Sequence, residues 1–228
     1  MATNPALAVP QQLEDPLVYL SSSSILEYKK GQTIYSHSQP STNVFLVIEG
    51  MVKVCRMADD GRPVVVDIYQ NEEFFGESAL LNSPRRDEQA VAIENTKVMT
   101  WTLSEIEDIV TRRPRLAVAL LQMLVQRSID FSHRIESLSV DNIAKRLGRT
   151  LIRFAERLGR DTEDGSVEMM PLTHEFLSQY VGTSREIVTH YMNQFRRQGY
   201  LRYSRKAIFV HRDALKDWFR QNAALRAI

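Results

Sequence analysis

The stretch Leu172–Tyr203, LTHEFLSQYVGTSREIVTHYMNQFRRQGYLRY, decides how the chain is to be read. Phe176, Leu177, Tyr180 and Val181 recur at helical spacing, Ile187, Val188, Tyr191, Met192 and Phe195 do so again, and Gly182 stands between. Two amphipathic helices joined by a short turn containing glycine make a helix-turn-helix. Thr183, with Glu186 three residues on, reads as a capping box that starts the second helix where the turn ends. The first turn of that helix is then its presented end, and it carries Arg185 and Glu186. In this motif the amino end of the second helix enters the DNA major groove. There arginine donates two hydrogen bonds to guanine and a carboxylate accepts one from cytosine N4. His190, at i+4 from Glu186, shares its face and reaches the next base pair or a phosphate.

Around this core lie groups suited to the phosphate backbone. YLRYSRKAIFVH reads as a hairpin carrying Arg202, Arg205 and Lys206, and the hydroxyls of Thr173, Thr183 and Ser184 sit at the two helix starts. Charge supports the reading. From Pro171 onward ten Lys and Arg face four Asp and Glu, residues 139–170 hold six of each, and residues 1–138 hold thirteen against eighteen. The basic excess is confined to the carboxyl-terminal segment, as a polyanion partner requires. Taken alone, Arg185–Glu186 also fits a solvated ion pair, so the turn, hairpin and charge split carry the conclusion together.

Upstream, the period changes. Between Ile25 and Leu103 the apolar runs are short and partly alternating, broken at Gly50 and Asp60-Gly61, which predicts antiparallel hairpins in a barrel or jelly roll. SEIEDIVTRRPRLAVALLQ then turns helical, with Ser104 as N-cap and Pro114 opening a new helix. Along that helix Ala117, Leu121, Leu124, Ser128, Phe131, Ile135 and Leu138 follow steps of four and three, the seam of a coiled coil, and predict a parallel dimer. A further helix ends near Gly159, and RDTEDGS is expected to be a surface loop.

Composition narrows the function classes. With 43% hydrophobic and 25% charged residues in 228, the chain fits a soluble protein large enough for two domains. No apolar run approaches the length of a membrane span and MATNPALAVPQQLEDP lacks the features of a secretory signal, so no membrane partner and a cytoplasmic location are expected. The single cysteine, Cys55, excludes an internal disulfide and any iron-sulfur cluster held by several thiolates of one chain, and reads as a buried strand residue. Five scattered histidines do not make a cupin metal site. Without a P-loop, a nucleophile elbow or a zinc cluster, the chain is not expected to be an enzyme.

Two motifs give a resemblance covering nearly the whole chain. LTHEFLSQYVGTSREIVTHYMNQF is similar to the helix-turn-helix, and GESALLNSPRRDEQAVA, Gly76–Ala92, to the effector cassette, of the CRP/FNR family of bacterial transcription regulators. The resemblance implies an α+β chain: a double-stranded β-roll sensor over 1–104, a helical linker and dimerisation helix over 105–140, and a winged helix-turn-helix over 141–228. It also implies a homodimer that binds a palindromic promoter site of double-stranded DNA and contacts RNA polymerase.

The effector is left open. In members that bind cyclic AMP, a Gly-Glu pair holds the ribose and an Arg-Ser pair the phosphate. Gly76, Glu77 and Ser78 fit the first region and Arg86 the second, but Asp87 replaces the phosphate-binding serine, and a carboxylate there repels the ligand. The family's Thr-Ser adenine pair corresponds to Phe131-Ser132. The competing reading makes Glu77 and Arg86 structural, paired with each other. A haem-based sensor would draw an axial ligand from His37, His133 or Cys55.

Overall fold

The structure, a computed structural model, describes residues 13–81, 85–203 and 205–224. Residues 82–84 of the cassette and 204 of the predicted hairpin fall outside that description. The first eight strands are β1 (Ser24–Tyr28), β2 (Thr33–Tyr35), β3 (Asn43–Glu49), β4 (Val52–Met57), β5 (Pro63–Tyr69), β6 (Phe74–Phe75), β7 (Gln89–Ala92) and β8 (Thr96–Thr102). They form two four-stranded antiparallel sheets, ordered β1-β8-β3-β6 and β2-β7-β4-β5, the two layers of a β-roll. Gly50 closes the β3–β4 turn at φ 89°, and a Cβ there would lie 2.4 Å from the Asn95 carbonyl oxygen, so the turn requires glycine.

The incomplete alternation of β3 has a packing cause. Phe45 and Val47 face the roll interior with Tyr35, Val54, Phe75 and Val98. Val44 and Leu46 face the other way, onto Trp101, Ile106, Ile109, Leu116 and Leu120. A strand buried on both sides reads as a continuous apolar run. The second face is covered by α1 (Leu103–Arg112) and the start of α2 (Arg115–Val140). Helix α1 is capped by Thr102 and not Ser104: Thr102 Oγ1 accepts from the Glu105 N–H while Glu105 accepts from the Thr102 N–H, at 3.3 and 2.7 Å. Glu105 lies three residues after Thr102, the spacing that a capping box needs.

Asn142 caps α3 (Ile143–Leu158), which ends at Gly159. There follow β9 (Arg160–Asp161), β10 (Val167–Met169), α4 (His174–Val181), α5 (Arg185–Arg197), β11 (Leu201–Tyr203), β12 (Ile208–Val210) and α6 (Arg212–Ala224). The four short strands form one sheet, β11-β12-β10-β9. RDTEDGS is therefore not wholly a loop: Arg160 and Asp161 pair with Glu168 and Val167, and only 162–166 forms the turn.

The two halves share one buried junction. Met51, Cys55, Val65 and Ile68 of the β-roll join the core built by Leu147, Leu151, Phe176, Leu177, Tyr180 and Phe195. Charge is sealed into it. Asp67, 5% exposed, accepts from Arg157 at 2.9 Å and lies 3.6 Å from Arg153, while Arg157 also binds Glu73 at 2.9 Å and the Ile68 carbonyl at 2.8 Å. Burial works against the Arg157 charge, but Asp67 and Glu73 outweigh it and hold the guanidinium protonated. Arg134 of α2 donates to the Val65 and Tyr180 carbonyls, both at 2.8 Å, tying β5 to the last turn of α4.

Candidate nucleic-acid interface and effector pocket

The helix-turn-helix is built as its sequence demands, with one shift. Thr173 caps α4 by accepting from the Phe176 N–H at 3.0 Å. Gly182 ends α4 at φ 75°, a left-handed conformation that glycine adopts freely, and both the Gly182 and Thr183 N–H groups fold back to the Ser178 carbonyl. Thr183 is thereby drawn into the turn, and Ser184, not Thr183, caps α5, its Oγ accepting from the Ile187 N–H. No Thr183–Glu186 capping box forms. Glu186 instead occupies the second position of α5, where its own backbone N–H, the Ser184 hydroxyl and Arg185 hold its carboxyl below the usual range. It is thus fixed as an acceptor.

Arg185, Glu186 and His190 are all exposed. Behind them, Val188, Met192 and Phe195 are completely buried and set the rotation of the helix. A supporting layer escaped the sequence reading. His174 Nδ1 lies 2.8 Å from Thr189 Oγ1, whose hydroxyl donates to the Arg185 carbonyl at 2.8 Å, so α4 braces the first turn of α5. The Tyr203 hydroxyl donates to Asn193 at 3.2 Å and Arg196 stacks over the Tyr203 ring, fixing the β11–β12 wing to the same helix. All three wing cations, Arg202, Arg205 and Lys206, are exposed, and Arg202 pairs with Asp164 of the neighbouring hairpin at 2.5 Å and lies over Phe209.

In the β-roll part of the predicted effector set comes together: Gly76, Ser78 and Arg86 meet, whereas Asp87 stands apart at the surface. Arg86 is buried, with its guanidinium 3.9 Å from the Tyr35 ring centroid. It donates to the Asn43 carbonyl at 2.6 Å and to Ser78 Oγ at 3.1 Å. Ser78 Oγ also lies 2.9 Å from Ser41 Oγ, and the Tyr35 hydroxyl is turned to Glu88 at 2.8 Å. Gly76, at φ 77°, is needed because a Cβ would press on Phe45, Arg86 Nη1 and the Asn43 carbonyl at 3.0–3.2 Å. Asp87 is exposed.

Glu77 and Arg86 both have internal partners, but they do not pair with each other. Glu77 is bound by Arg127 of α2 at 2.8 Å, and Arg127 also donates to the Phe74 carbonyl and stacks on Tyr69. Burial opposes the Arg127 charge, and Glu77 restores it. Arg127, one helical turn before Phe131, reaches from α2 into the roll. Ser132 is exposed and donates to its own helix at the Ser128 carbonyl, and Phe131 is half-buried. An arginine within an apolar helix was the available signal. For haem, His37 and Cys55 border one cleft, but burial raises the Cys55 thiol, which disfavours the thiolate that a metal needs.

The outward face of α2 is also rotated from the expected seam. Leu121, Ser128, Ile135 and Leu138 are exposed as predicted, but Ala117 and Leu124 are half-buried, and Val118, Val125 and Ile129 are exposed instead. The inner stripe of Leu116, Leu120 and Met123 packs on the roll and turns the rest outward by about one position.

A β-roll joined through a long helix to a winged helix-turn-helix defines a DNA-binding regulator with a sensor-type domain. Residues 25–113 match the cyclic nucleotide-binding domain and residues 145–218 the Crp-like helix-turn-helix domain. The chain belongs to the CRP/FNR family of transcription regulators, which are not enzymes. It is 25% identical over 186 residues to the CRP-like cAMP-activated global transcriptional regulator of Mycobacterium tuberculosis, covering 81% of this chain and 83% of that one. To the global nitrogen regulator of Synechococcus elongatus it is 26% identical over 188 residues, 82% and 85% of the two chains. FixK2 from Bradyrhizobium japonicum has the same fold, with a TM-score of 0.75 and 22% identity over 87% of this chain and 97% of that one. Among the described residues no helix is long and apolar enough to cross a membrane.

Proposed function

We propose that two copies of this chain pair along α2 and bind a palindromic promoter site, and that no cyclic nucleotide is needed for binding. Arg185, Glu186 and His190 read base pairs, while Thr173, Thr183, Ser184, Arg205, Lys206 and, with its ion pair opened, Arg202 grip phosphates. Two such helices reach successive major grooves when they stand about 34 Å apart. Through family membership the reading extends to contact with RNA polymerase and a cytoplasmic location.

The observation that carries the effector reading is the ion pair of Glu77 with Arg127, together with the enclosure of Arg86 by Tyr35, Ser78 and the Asn43 carbonyl. The groups that would hold a ribose and a cyclic phosphate already have internal partners. A ligand would have to break buried charge-assisted contacts before making its own. Fluorescence anisotropy on a labelled palindrome of the type bound by CRP members of the family, at one fixed salt, tests both parts. The expected result is tight binding, left unchanged by cyclic AMP or cyclic GMP. A many-fold tightening by either nucleotide would refute the closed-pocket reading, and no preference for the palindrome over scrambled DNA would refute the base-reading assignment.

A further inference from the structure

A cleft of about 630 Å³ opens between α2, α3 and α6, away from both the recognition helix and the β-roll pocket. Its floor is a row on α3: Arg146, Arg149, Arg153 and Arg157, spaced so that all four share one face over about 16 Å. In total six arginines and one lysine border the cleft, against two carboxylates, Asp130 and Glu156. Its volume lies within the range of small-molecule sites.

These cations are not equally committed. Arg153 and Arg157 are bound into the junction by Asp67, and Arg149 is held by Asp141 at 2.6 Å. Lys216 and Arg220 make only exposed pairs, with Glu156 and Asp217, which exchange readily for a stronger anion. The buried Nε of Arg146 has no hydrogen-bond partner among the described residues. Nor has the hydroxyl of Tyr180, a residue that is 4% exposed and lines the same cleft. Buried donors without acceptors are costly and uncommon, and two of them belong to residues that line this one cationic cleft. Phe219, partly exposed, adds apolar surface to the lining for the body of an organic molecule.

Pairing along α2 leaves most of the cleft open. Asp130, His133, Arg134 and Ser137, which line it, lie on the opposite side of the helix from the exposed Val118, Leu121, Val125 and Ile135, and Leu138 at the helix end belongs to both the lining and the predicted seam. Arginine in an array suits phosphate because its planar fork binds two oxygens at once. We propose that this cleft binds an organic polyphosphate of nucleotide size. Its phosphates meet Arg146 and Arg220, its body lies on Phe219, and an acceptor at its far end takes the Tyr180 hydroxyl.

Isothermal titration calorimetry of the full chain with ATP, GTP and inorganic tripolyphosphate, at fixed ionic strength and without DNA, tests this. At least one nucleotide should bind saturably at one per chain and about tenfold more tightly than tripolyphosphate. Arg146→Gln should weaken it about tenfold, the loss of one charge-assisted hydrogen bond. Tyr180→Phe, which keeps the packed ring, should weaken it about threefold, and Arg185→Ala should leave it unchanged. No saturable binding at millimolar concentration would overturn the proposal, as would binding that survives Arg146→Gln or is lost in Arg185→Ala. Equal affinity for tripolyphosphate would overturn the organic ligand.

Discussion

Asp67→Asn tests the junction between the two halves. The substitution keeps shape and removes the charge that faces Arg157 at 2.9 Å and Arg153 at 3.6 Å. Removing one member of a buried ion pair costs about 3–5 kcal/mol because the other is left uncompensated. Here Arg157 retains Glu73 and the Ile68 carbonyl, and the two arginine side chains are 22% and 23% exposed. Those residual contacts and solvent screening reduce the expected loss to about 2–3 kcal/mol. With a urea slope of about 2 kcal/mol/M, the midpoint falls by about 1 M. The chain supplies a reporter in each half: Trp101 packs with the β-roll and Trp218 against the core of the DNA-binding half. In backgrounds carrying one tryptophan each, the two transitions should coincide for the wild type and separate for Asp67→Asn. Adding Arg157→Met should cost less than the two single effects summed, since the pair is then gone from both sides. A loss below about 0.5 kcal/mol with coincident transitions would refute the assignment of the junction to this charge cluster.

The corrected cap is tested by melting curves: Ser184→Ala should cost about 1 kcal/mol and Thr183→Ala only a few tenths, and the reverse order would restore Thr183. Arg185→Ala should weaken the specific site by about 1–3 kcal/mol and relax one base-pair position, whereas Lys206→Ala should weaken all sequences alike and lower the salt slope by about one, both read by anisotropy on base-substituted sites. His174 is held below its ordinary value of 6.5 by burial first and by Arg185 second. The fold favours its neutral form, so its contribution to stability is full above pH 6.5 and is lost as pH falls from there through the lower folded-state midpoint. NMR titration should find the His174 midpoint below 6.5 and higher in Arg185→Ala, and a midpoint unmoved by that substitution would separate the two side chains.

The helix-turn-helix was legible because its determinants are local: periodicity, a turn glycine and a hydroxyl cap lie within a few residues of one another. The cap moved by one position because Gly182 in the left-handed conformation carries Thr183 through the turn, and spacing alone does not reveal that conformation. Heptad counting misplaced the outward face of α2 because Leu116 and Leu120 form a second apolar stripe, and a sequence does not say which of two stripes meets the roll. The cassette was legible in its groups and not in their partners. Arg86 is satisfied by carbonyls, a hydroxyl and an aromatic ring, none of which advertises itself as a counter-charge. Arg127 and Arg134 were missed for the same reason: their acceptors lie more than forty residues away in sequence.

Those two arginines give α2 its place in any signal. They are seven residues apart, two turns or about 10.5 Å, and so project from one face. The first grips the Phe74 carbonyl in one sheet and Glu77 just after it; the second grips β5 in the other sheet and the Tyr180 carbonyl, two residues before the recognition turn at Gly182. A helix held at both points moves as a rod. A change that releases Arg127 therefore alters the support of α4 only through rotation or sliding of α2 as a whole, and the same motion would displace the apolar face proposed to meet the second copy. Effector response, dimer geometry and helix placement then depend on one equilibrium. A ligand shifts it only by the difference between its affinities for the two positions of α2, and the Glu77–Arg127 pair must be overcome within that difference.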